Sequence, residues 1–306
     1  MKGVVPREVA VKVIDVTKLN RRAIKLIYEE VCVMRELNGS AHIIKMYDYY
    51  ERPRDRLLVM ELMPGGELFD CIARKGAHNE HDTRTVFKQI LQGLQYMHSK
   101  EIMHRDMKPE NLLLTSKDDT VATVKLCDFG MATHVVGETS GDLCGTSDYM
   151  APEVIQRKPY GTKVDMWGAG ILLYVLLCGY LPFQSESMQE LRRMIVKSDV
   201  VFHPNYWKNV SDDAKKFVLK LMSKNSKDRP EASAALNDPW MLHEEEHLSK
   251  FERSQDTTKI FRRTNARRKL MSVARAVIAM NRMKKLISGN IHDQTITSSV
   301  NNPMRH

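Results

Sequence analysis

The sequence has few cysteines and no long uninterrupted apolar segment. Its five cysteines are scattered and odd in number, and no pair has the spacing of metal ligands, which argues against a disulfide scaffold or a zinc site. The longest apolar run, "WGAGILLYVLLCGYLPF" from Trp167, contains three glycines and a proline and is shorter than the roughly 20 residues that cross a bilayer. We therefore predict a buried core helix there, no transmembrane segment, no secretory signal peptide, and a cytoplasmic location with the nucleus as an alternative.

An excess of basic over acidic residues is missing from most of the chain. The formal net charge is +9, but residues 259–291 contain ten Lys and Arg and no Asp or Glu, so residues 1–258 are close to neutral. Residues 1–258, with almost no net charge, offer no basic region that would bind nucleic-acid phosphates. We therefore predict no nucleic-acid partner. No EF-hand loop is recognisable, so any response to calcium would come through a partner.

Strand patterns occupy the first part of the chain and helical patterns the rest. Runs rich in Val, Ile and Tyr predict three early strands, and helical apolar spacing predicts one helix between them. Beyond Pro152 the pattern is mostly helical. We expect strands at 8–16, "HIIKMYDYYE" and "RLLVMELM", helices at 21–37, 67–75 and 81–99, and a hairpin built from "NLLLT" and "TVATVKLC".

Four polar side chains should meet at one end of this hairpin. Asn111 precedes its first strand and Asp128 follows its second, and an antiparallel hairpin brings those two positions together. Asp106 and Lys108 lie in the loop just before, within "HRDMKPEN" at 104–111. Two oxygen ligands, a third carboxylate and an ammonium group suit a hard cation and a phosphate.

The motifs in this order resemble the signature of the protein kinases. "AVK" at 10–12, "HRDMKPEN", "DFG" at 128–130 and "APE" at 151–153 appear in the family's sequence and spacing, and the resemblance covers residues 8 to 242. It implies an α+β, bilobal kinase fold with a truncated β-rich N-lobe, a mainly helical C-lobe and a C-terminal regulatory helix. The expected segments are a partial N-lobe at 1–62, a C-lobe at 63–242, a linker at 243–258, a basic helix at 259–289 and a disordered tail at 290–306.

The resemblance implies ATP and Mg²⁺ as cofactors and assigns the polar residues roles. Asp106 would orient the substrate hydroxyl and take its proton, and Lys108 would steady the γ-phosphate. Asn111 and Asp128 would hold Mg²⁺. Lys12 would contact the α- and β-phosphates.

Lys12 also needs a carboxylate partner on the following helix. By the family's pattern this is Glu30, four positions before the apolar Met34, with Glu29 as the alternative. The two glutamates cannot share one face of the helix.

By the same resemblance, the adenine pocket is formed by five residues. Met60 would be the gatekeeper, and backbone groups of Glu61 and Met63 would meet the adenine edge. Ala10 and Leu113 would enclose the ring.

"KPEN" and "GTSDYMAPE" are similar to serine/threonine rather than tyrosine kinases. Thr146 would help align the substrate hydroxyl, and Glu67 and Glu110 would receive arginine upstream of it, since carboxylates pair bidentately with guanidinium groups. We expect protein substrates with Arg three residues before the Ser or Thr. Asp165 should brace the catalytic loop.

A second structural pair is expected in the helical part. Arg229 should pair with Glu153 of the "APE" motif.

The basic C-terminal segment predicts a partner. Residues 261–288 lack Pro and Gly, and apolar residues recur on one helical face in either of two registers. "NARRKL" at 265–270 resembles the regulatory segment of the calcium/calmodulin-dependent kinases, which implies calmodulin binding and autoinhibition; membrane surfaces, nucleic acid and a plain solvated helix are the alternatives. The registers are Val273, Val277, Met280 and Leu286, or Leu270, Val277 and Met283.

The kinases' glycine-rich phosphate loop is missing. Only eleven residues precede Lys12, and they contain one glycine, Gly3. Without that loop's backbone donors, ATP should bind more weakly. The presence of Lys12, Asp106, Asn111 and Asp128 favours an incomplete or alternatively started chain. The alternative function is a catalytically weak or inactive kinase-like module that binds calmodulin.

Overall fold

The computed structural model describes residues 8–76, 79–118, 122–135, 141–242 and 256–271. Its first part is an antiparallel sheet with one helix. The strands are β1 (Val9–Asp15), β2 (Met46–Glu51) and β3 (Asp55–Glu61), in the order β1-β3-β2. Alternating Val and Ile residues form β1, and its register pairs Ala10 with Met60 and Val9 with Glu61.

The helix of this part, α1 (Arg21–Glu36), lies between β1 and β2 in sequence. Asn20 caps it by accepting a hydrogen bond from the Ala23 N–H. Its buried residues include Ile27, Glu30 and Met34, a spacing of three and four that places one face against the protein. Glu30 is therefore the acidic residue of α1 that faces inward.

The remainder is mainly helical, which confirms the predicted α+β class. The predicted core helix is α5 (Lys163–Cys178), whose residues from Val164 to Cys178 are all buried. The hairpin also forms, with Leu112 opposite Leu126. The further elements are β4 (Gly66–Glu67), α2 (Leu68–Lys75), α3 (Glu80–Ser99), β5 (Ile102–Met103), β6 (Leu112–Leu114), β7 (Val124–Leu126), β8 (Thr133–His134), α4 (Pro152–Ile155), α5 (Lys163–Cys178), α6 (Met188–Lys197), α7 (Pro204–Trp207), α8 (Asp212–Leu221), α9 (Ala232–Leu236) and α10 (Pro239–Leu242).

The chain divides into two compact units, one up to Phe261 and one from Arg262. The predicted boundary between 62 and 63 lies inside the first unit. Residues 256–271 are helical, so the helix includes residues 256–258 of the predicted linker.

Tertiary packing explains why residues 256–258 are helical. Phe261 stacks on Phe69 with ring centroids 5.5 Å apart, and Thr258 Oγ1 donates to Gly76 O over 2.8 Å. Gly179, at φ 88°, follows α5, and a Cβ there would lie 2.9 Å from Thr257 O. These contacts hold the polar residues 256–258 in the helix. Most of the predicted linker, residues 272–289 of the basic segment and the tail at 290–306 lie outside the described residues.

Candidate active site

Lys12 lies in β1 and contacts two carboxylates. Its Nζ is 2.7 Å from Glu30 Oε1 and 3.7 Å from Asp128 Oδ1. Burial alone lowers the pKa of Lys12, but the negative charge of Glu30, and then of Asp128, raises it above its ordinary value. Lys12 is thus a fixed cation. Glu29 lies elsewhere, 3.5 Å from Lys25.

Asp106 lies in the loop between β5 and β6 and is nearly buried. Its Oδ2 accepts a hydrogen bond from the Lys108 ammonium group. Its Oδ1 accepts two from Thr146, from the backbone N–H at 2.9 Å and from Oγ1 at 2.7 Å. Burial raises the pKa of Asp106, but the bonds from Lys108 and Thr146 outweigh it and hold the pKa below its usual value. The carboxylate is therefore ionised at neutral pH.

The two expected metal ligands lie at the same end of the hairpin. Asn111 is buried, and its Nδ2 donates to Asp106 O over 2.8 Å, so its Oδ1 is the atom that can bind a cation. Asn111 O accepts from the Cys127 N–H over 3.0 Å, and Asp128 is the next residue. The Asp128 side chain is 50% exposed, and its backbone has φ 61°, a conformation that costs a non-glycine residue energy and is frequent at functional sites.

These oxygen donors fit a magnesium ion. Mg²⁺ takes one or two protein carboxylates and completes its shell with phosphates and water. Asn111 and Asp128 offer one amide oxygen and one carboxylate, a donor set that suits a cation whose shell is completed by phosphates and water.

Asp165 holds the backbone beneath this site, which confirms its predicted bracing role. It is 1% exposed and accepts hydrogen bonds from the N–H groups of His104 and Arg105, each over 2.8 Å. Arg105 has φ 64°, and these bonds stabilise that conformation. Burial raises the pKa of Asp165, but the hydrogen bond with His98 and nearby histidine charges lower it overall.

The predicted pair of Arg229 and Glu153 is also confirmed. The two side chains form a bidentate pair with distances of 2.6 and 2.7 Å, and both are buried. The Arg229 guanidinium also lies 5.1 Å from the centroid of the Trp167 ring. This pair joins the "APE" segment to the helical core.

The expected adenine-contacting residues lie on two sheets. Ala10 is the cross-strand neighbour of Met60, whereas Leu113 belongs to β6, opposite Glu67. Met63 follows β3, and its carbonyl accepts from the Gly66 N–H over 3.1 Å.

The expected substrate-contacting residues border the catalytic loop. Glu67 immediately precedes α2, and Glu110 lies in the short 3₁₀ turn Pro109–Asn111. Thr146 contacts Asp106 directly, through its hydroxyl and its backbone N–H.

Tyr160 makes contacts within the site that the sequence pattern did not predict. Its hydroxyl donates to Asp142 O over 3.0 Å and lies 3.4 Å from Cys144 Sγ. Arg105 Nε donates to Met131 O over 2.6 Å. The segment between "DFG" and "APE" is therefore held at several points, although residues 136–140 lie outside the described residues.

Lys125 is a second residue that the sequence did not single out. Its Nζ lies 2.8 Å from Glu61 Oε2, and 11% of its side chain is exposed. A lysine between Val124 and Leu126, in a strand otherwise buried, was the available signal, because a buried cation needs a partner.

Cys127, adjacent to Asp128, is an inert thiol. It is buried, and burial, followed by the charges of Asp128 and Glu67, raises its pKa to about 12. A buried thiol with a raised pKa forms little thiolate at neutral pH, which disfavours reactivity.

Comparisons with known proteins agree with the motifs. The protein kinase domain model matches residues 4–241, so the chain belongs to the protein kinase family. It is 40% identical over 232 residues to the calcium/calmodulin-dependent protein kinase type 1 of Caenorhabditis elegans, covering 76% of this chain and 66% of that protein. It is 38% identical over 234 residues to myosin light chain kinase A of Dictyostelium discoideum, with 76% and 78% covered. It is 40% identical over 242 residues to a calcium/calmodulin-dependent serine/threonine-protein kinase of Oryza sativa subsp. japonica, with 78% and 40% covered.

The matched region spans just under two thirds of the nematode relative and less of the rice one. No helix in the described part of the chain is long and apolar enough to cross a membrane.

Proposed function

We propose that this chain is a serine/threonine protein kinase that uses ATP with Mg²⁺ and is regulated by calmodulin. The observation that carries the proposal is the convergence of Lys12, Glu30 and Asp128 on one side and Asp106, Lys108 and Thr146 on the other. ATP supplies the phosphoryl group, and Mg²⁺ neutralises charge on its phosphates.

Each side chain has a task that its contacts support. Asp106 is held ionised, so it can orient the substrate hydroxyl and accept its proton. Lys108 donates to the same carboxylate and places a cation where the transferred group gains charge. Lys12, fixed by Glu30, would bind the nucleotide phosphates, and Asn111 with Asp128 would hold the metal.

The substrate class follows from two acidic residues beside this machinery. Glu67 and Glu110 bind Arg upstream of the target Ser or Thr, by carboxylate–guanidinium pairing. The rice relative is named a serine/threonine-protein kinase, which supports Ser or Thr as the target residue.

The proposal is tested by transfer of the γ-phosphate to a peptide with Arg three residues before Ser, with and without Ca²⁺/calmodulin. We expect transfer that calmodulin stimulates, a weaker reaction when that Arg is Ala, and no transfer by Asp128→Asn. A chain that binds calmodulin but transfers no phosphate under any condition is instead the inactive kinase-like module.

Calmodulin regulation is supported by the second unit. Residues 262–271 are helical, and Leu270 of the second anchor register is 70% exposed, so it is open to a partner that buries apolar anchors. Within "NARRKL", Arg268 donates to Asn265 Oδ1 over 2.8 Å. The remaining anchors lie outside the described residues.

Autoinhibition is proposed to depend on the anchor at Phe261. Its ring is 2% exposed and stacks on Phe69 of α2, the helix that Glu67 precedes. Phe261→Ala removes a buried ring, a change that costs about 3–5 kcal/mol in a core. We expect calcium-independent activity to rise severalfold, because the released segment is more often away from the substrate site.

The matched control is Lys259→Ala, on the same helix but with its side chain 74% exposed. It should leave calcium-independent activity unchanged. Equal basal activity in the wild-type chain and in Phe261→Ala contradicts the anchoring role, as would an unchanged basal activity after deletion of 259–306.

A further inference from the structure

A buried ion pair joins two parts of the expected adenine site. Lys125 Nζ is 2.8 Å from Glu61 Oε2, with side-chain exposures of 11% and 22%. Lys125 lies in β7 directly opposite Leu113 of β6, and cross-strand neighbours occupy the same face of a sheet. Glu61 ends β3. The pair therefore links β7, the strand paired with that of Leu113, to the end of β3, whose backbone is expected to meet the adenine edge.

The chain between α1 and β2 is held in the same network. Lys125 Nζ donates to Ile43 O over 3.4 Å. The Lys45 N–H donates to Glu61 Oε2 over 3.2 Å, and the Glu61 N–H donates to Lys45 O over 2.9 Å. The Ile44 N–H donates to Leu126 O over 2.9 Å. The Glu61 carboxylate thus receives both an ammonium group and a backbone donor.

Ion pairs of this kind fix the local arrangement of the backbone more than they add to the free energy of unfolding. Two partly desolvated charges repay their dehydration only when each is well paired, and removal of one leaves the other uncompensated. The uncompensated carboxylate of Glu61 would turn toward water, and its backbone at the end of β3 would move with it. The distance from that backbone to Leu113 would then no longer be fixed.

We propose that Lys125 is a positioning residue for the adenine nucleotide, and that it acts through Glu61. The ion pair holds the backbone at the end of β3 at a set distance from Leu113, so that the ring fits between them. Lys125 itself does not touch the nucleotide. This inference deepens the proposed function and rests on it.

The test is the affinity of the full chain for MgADP, measured by isothermal titration calorimetry. Lys125→Met should weaken binding at least about fivefold, because loss of one member of a buried charge pair is costly. Lys125→Arg keeps the charge and should stay within about twofold of the wild-type chain. The double variant Lys125→Met with Glu61→Gln should bind no more weakly than Lys125→Met alone, since the two side chains act as one unit.

Unfolding measurements and a control variant distinguish a positioning role of Lys125 from a general loss of structure. Thermal unfolding of each variant verifies that it folds. If Lys125→Met does not fold, the MgADP affinity of Glu61→Gln replaces it as the test of the ion pair. Lys216→Met, which removes an exposed pair with Asp213, should leave MgADP affinity unchanged. The inference is overturned if Lys125→Met binds like the wild-type chain, if Lys125→Arg is as weak as Lys125→Met, or if the double variant shows additive losses. A wild-type chain that does not bind MgADP contradicts the proposed function itself.

Discussion

Asp106→Asn is expected to lower phosphate transfer by about 10³-fold, within the range found for loss of a positioned general base. The amide keeps the size of the side chain and can still accept from Thr146, but it cannot take a proton from the substrate hydroxyl. MgADP affinity should stay within about twofold, since the loss falls on the transition state and not on nucleotide binding. Single-turnover transfer and calorimetry separate the two quantities.

The acid side of the pH profile is an additional check on Asp106. Its pKa is lowered, so the ionised form is present above that value and is lost only as the pH falls through it. Activity should therefore show no decline from Asp106 protonation down to about pH 4, the usual aspartate range.

The matched control for Asp106→Asn is Asp213→Asn, at an exposed pair with Lys216, which should retain full activity. Full activity in Asp106→Asn would remove Asp106 from the mechanism.

Arg229→Met should lower the free energy of unfolding by about 3–5 kcal/mol, the cost of leaving a buried charge without its partner. Glu153 would keep its carboxylate in a buried site, and both bonds of 2.6 and 2.7 Å would be lost. The Ser223 and Lys163 carbonyls would also lose the hydrogen bonds they accept from Arg229. Urea unfolding at pH 7 measures the change.

Lys216→Met is the control, because its exposed pair on α8 contributes only about 0.3–0.5 kcal/mol. The double variant Arg229→Met with Glu153→Leu should recover part of the loss, since no charge is then left buried. If Arg229→Met unfolds at the same urea concentration as the wild-type chain, the pair is not a major source of stability.

Local patterns predicted those parts of the site that lie close in sequence or on one regular element. Asn111 and Asp128 flank one hairpin, so strand geometry alone brought them together. The family's pattern of a glutamate four positions before an apolar residue favoured Glu30, and both Glu30 and Met34 lie on the buried face of α1. Neither prediction required knowledge of packing between distant segments.

Contacts between distant segments were not predictable in this way. Lys125 and Glu61 are 64 positions apart, and a lysine in a strand is ordinarily solvated. Tyr160 follows the "APE" motif without any pattern that points to Asp142. The helical conformation of residues 256–258 was not predictable either, because these residues are polar and packing keeps them helical.

Gly179 both ends α5 and leaves room for residues that pack against that end. Its positive φ ends α5, and its missing side chain leaves room for Thr257 and Phe261, whose atoms would lie 2.9 and 3.0 Å from a Cβ. Even an alanine would collide with the backbone of the incoming segment, and it would also be strained in that conformation. One position therefore affects both how α5 ends and whether residues 257–261 can pack against that end, so a single added methyl group would disturb this contact without changing any charge.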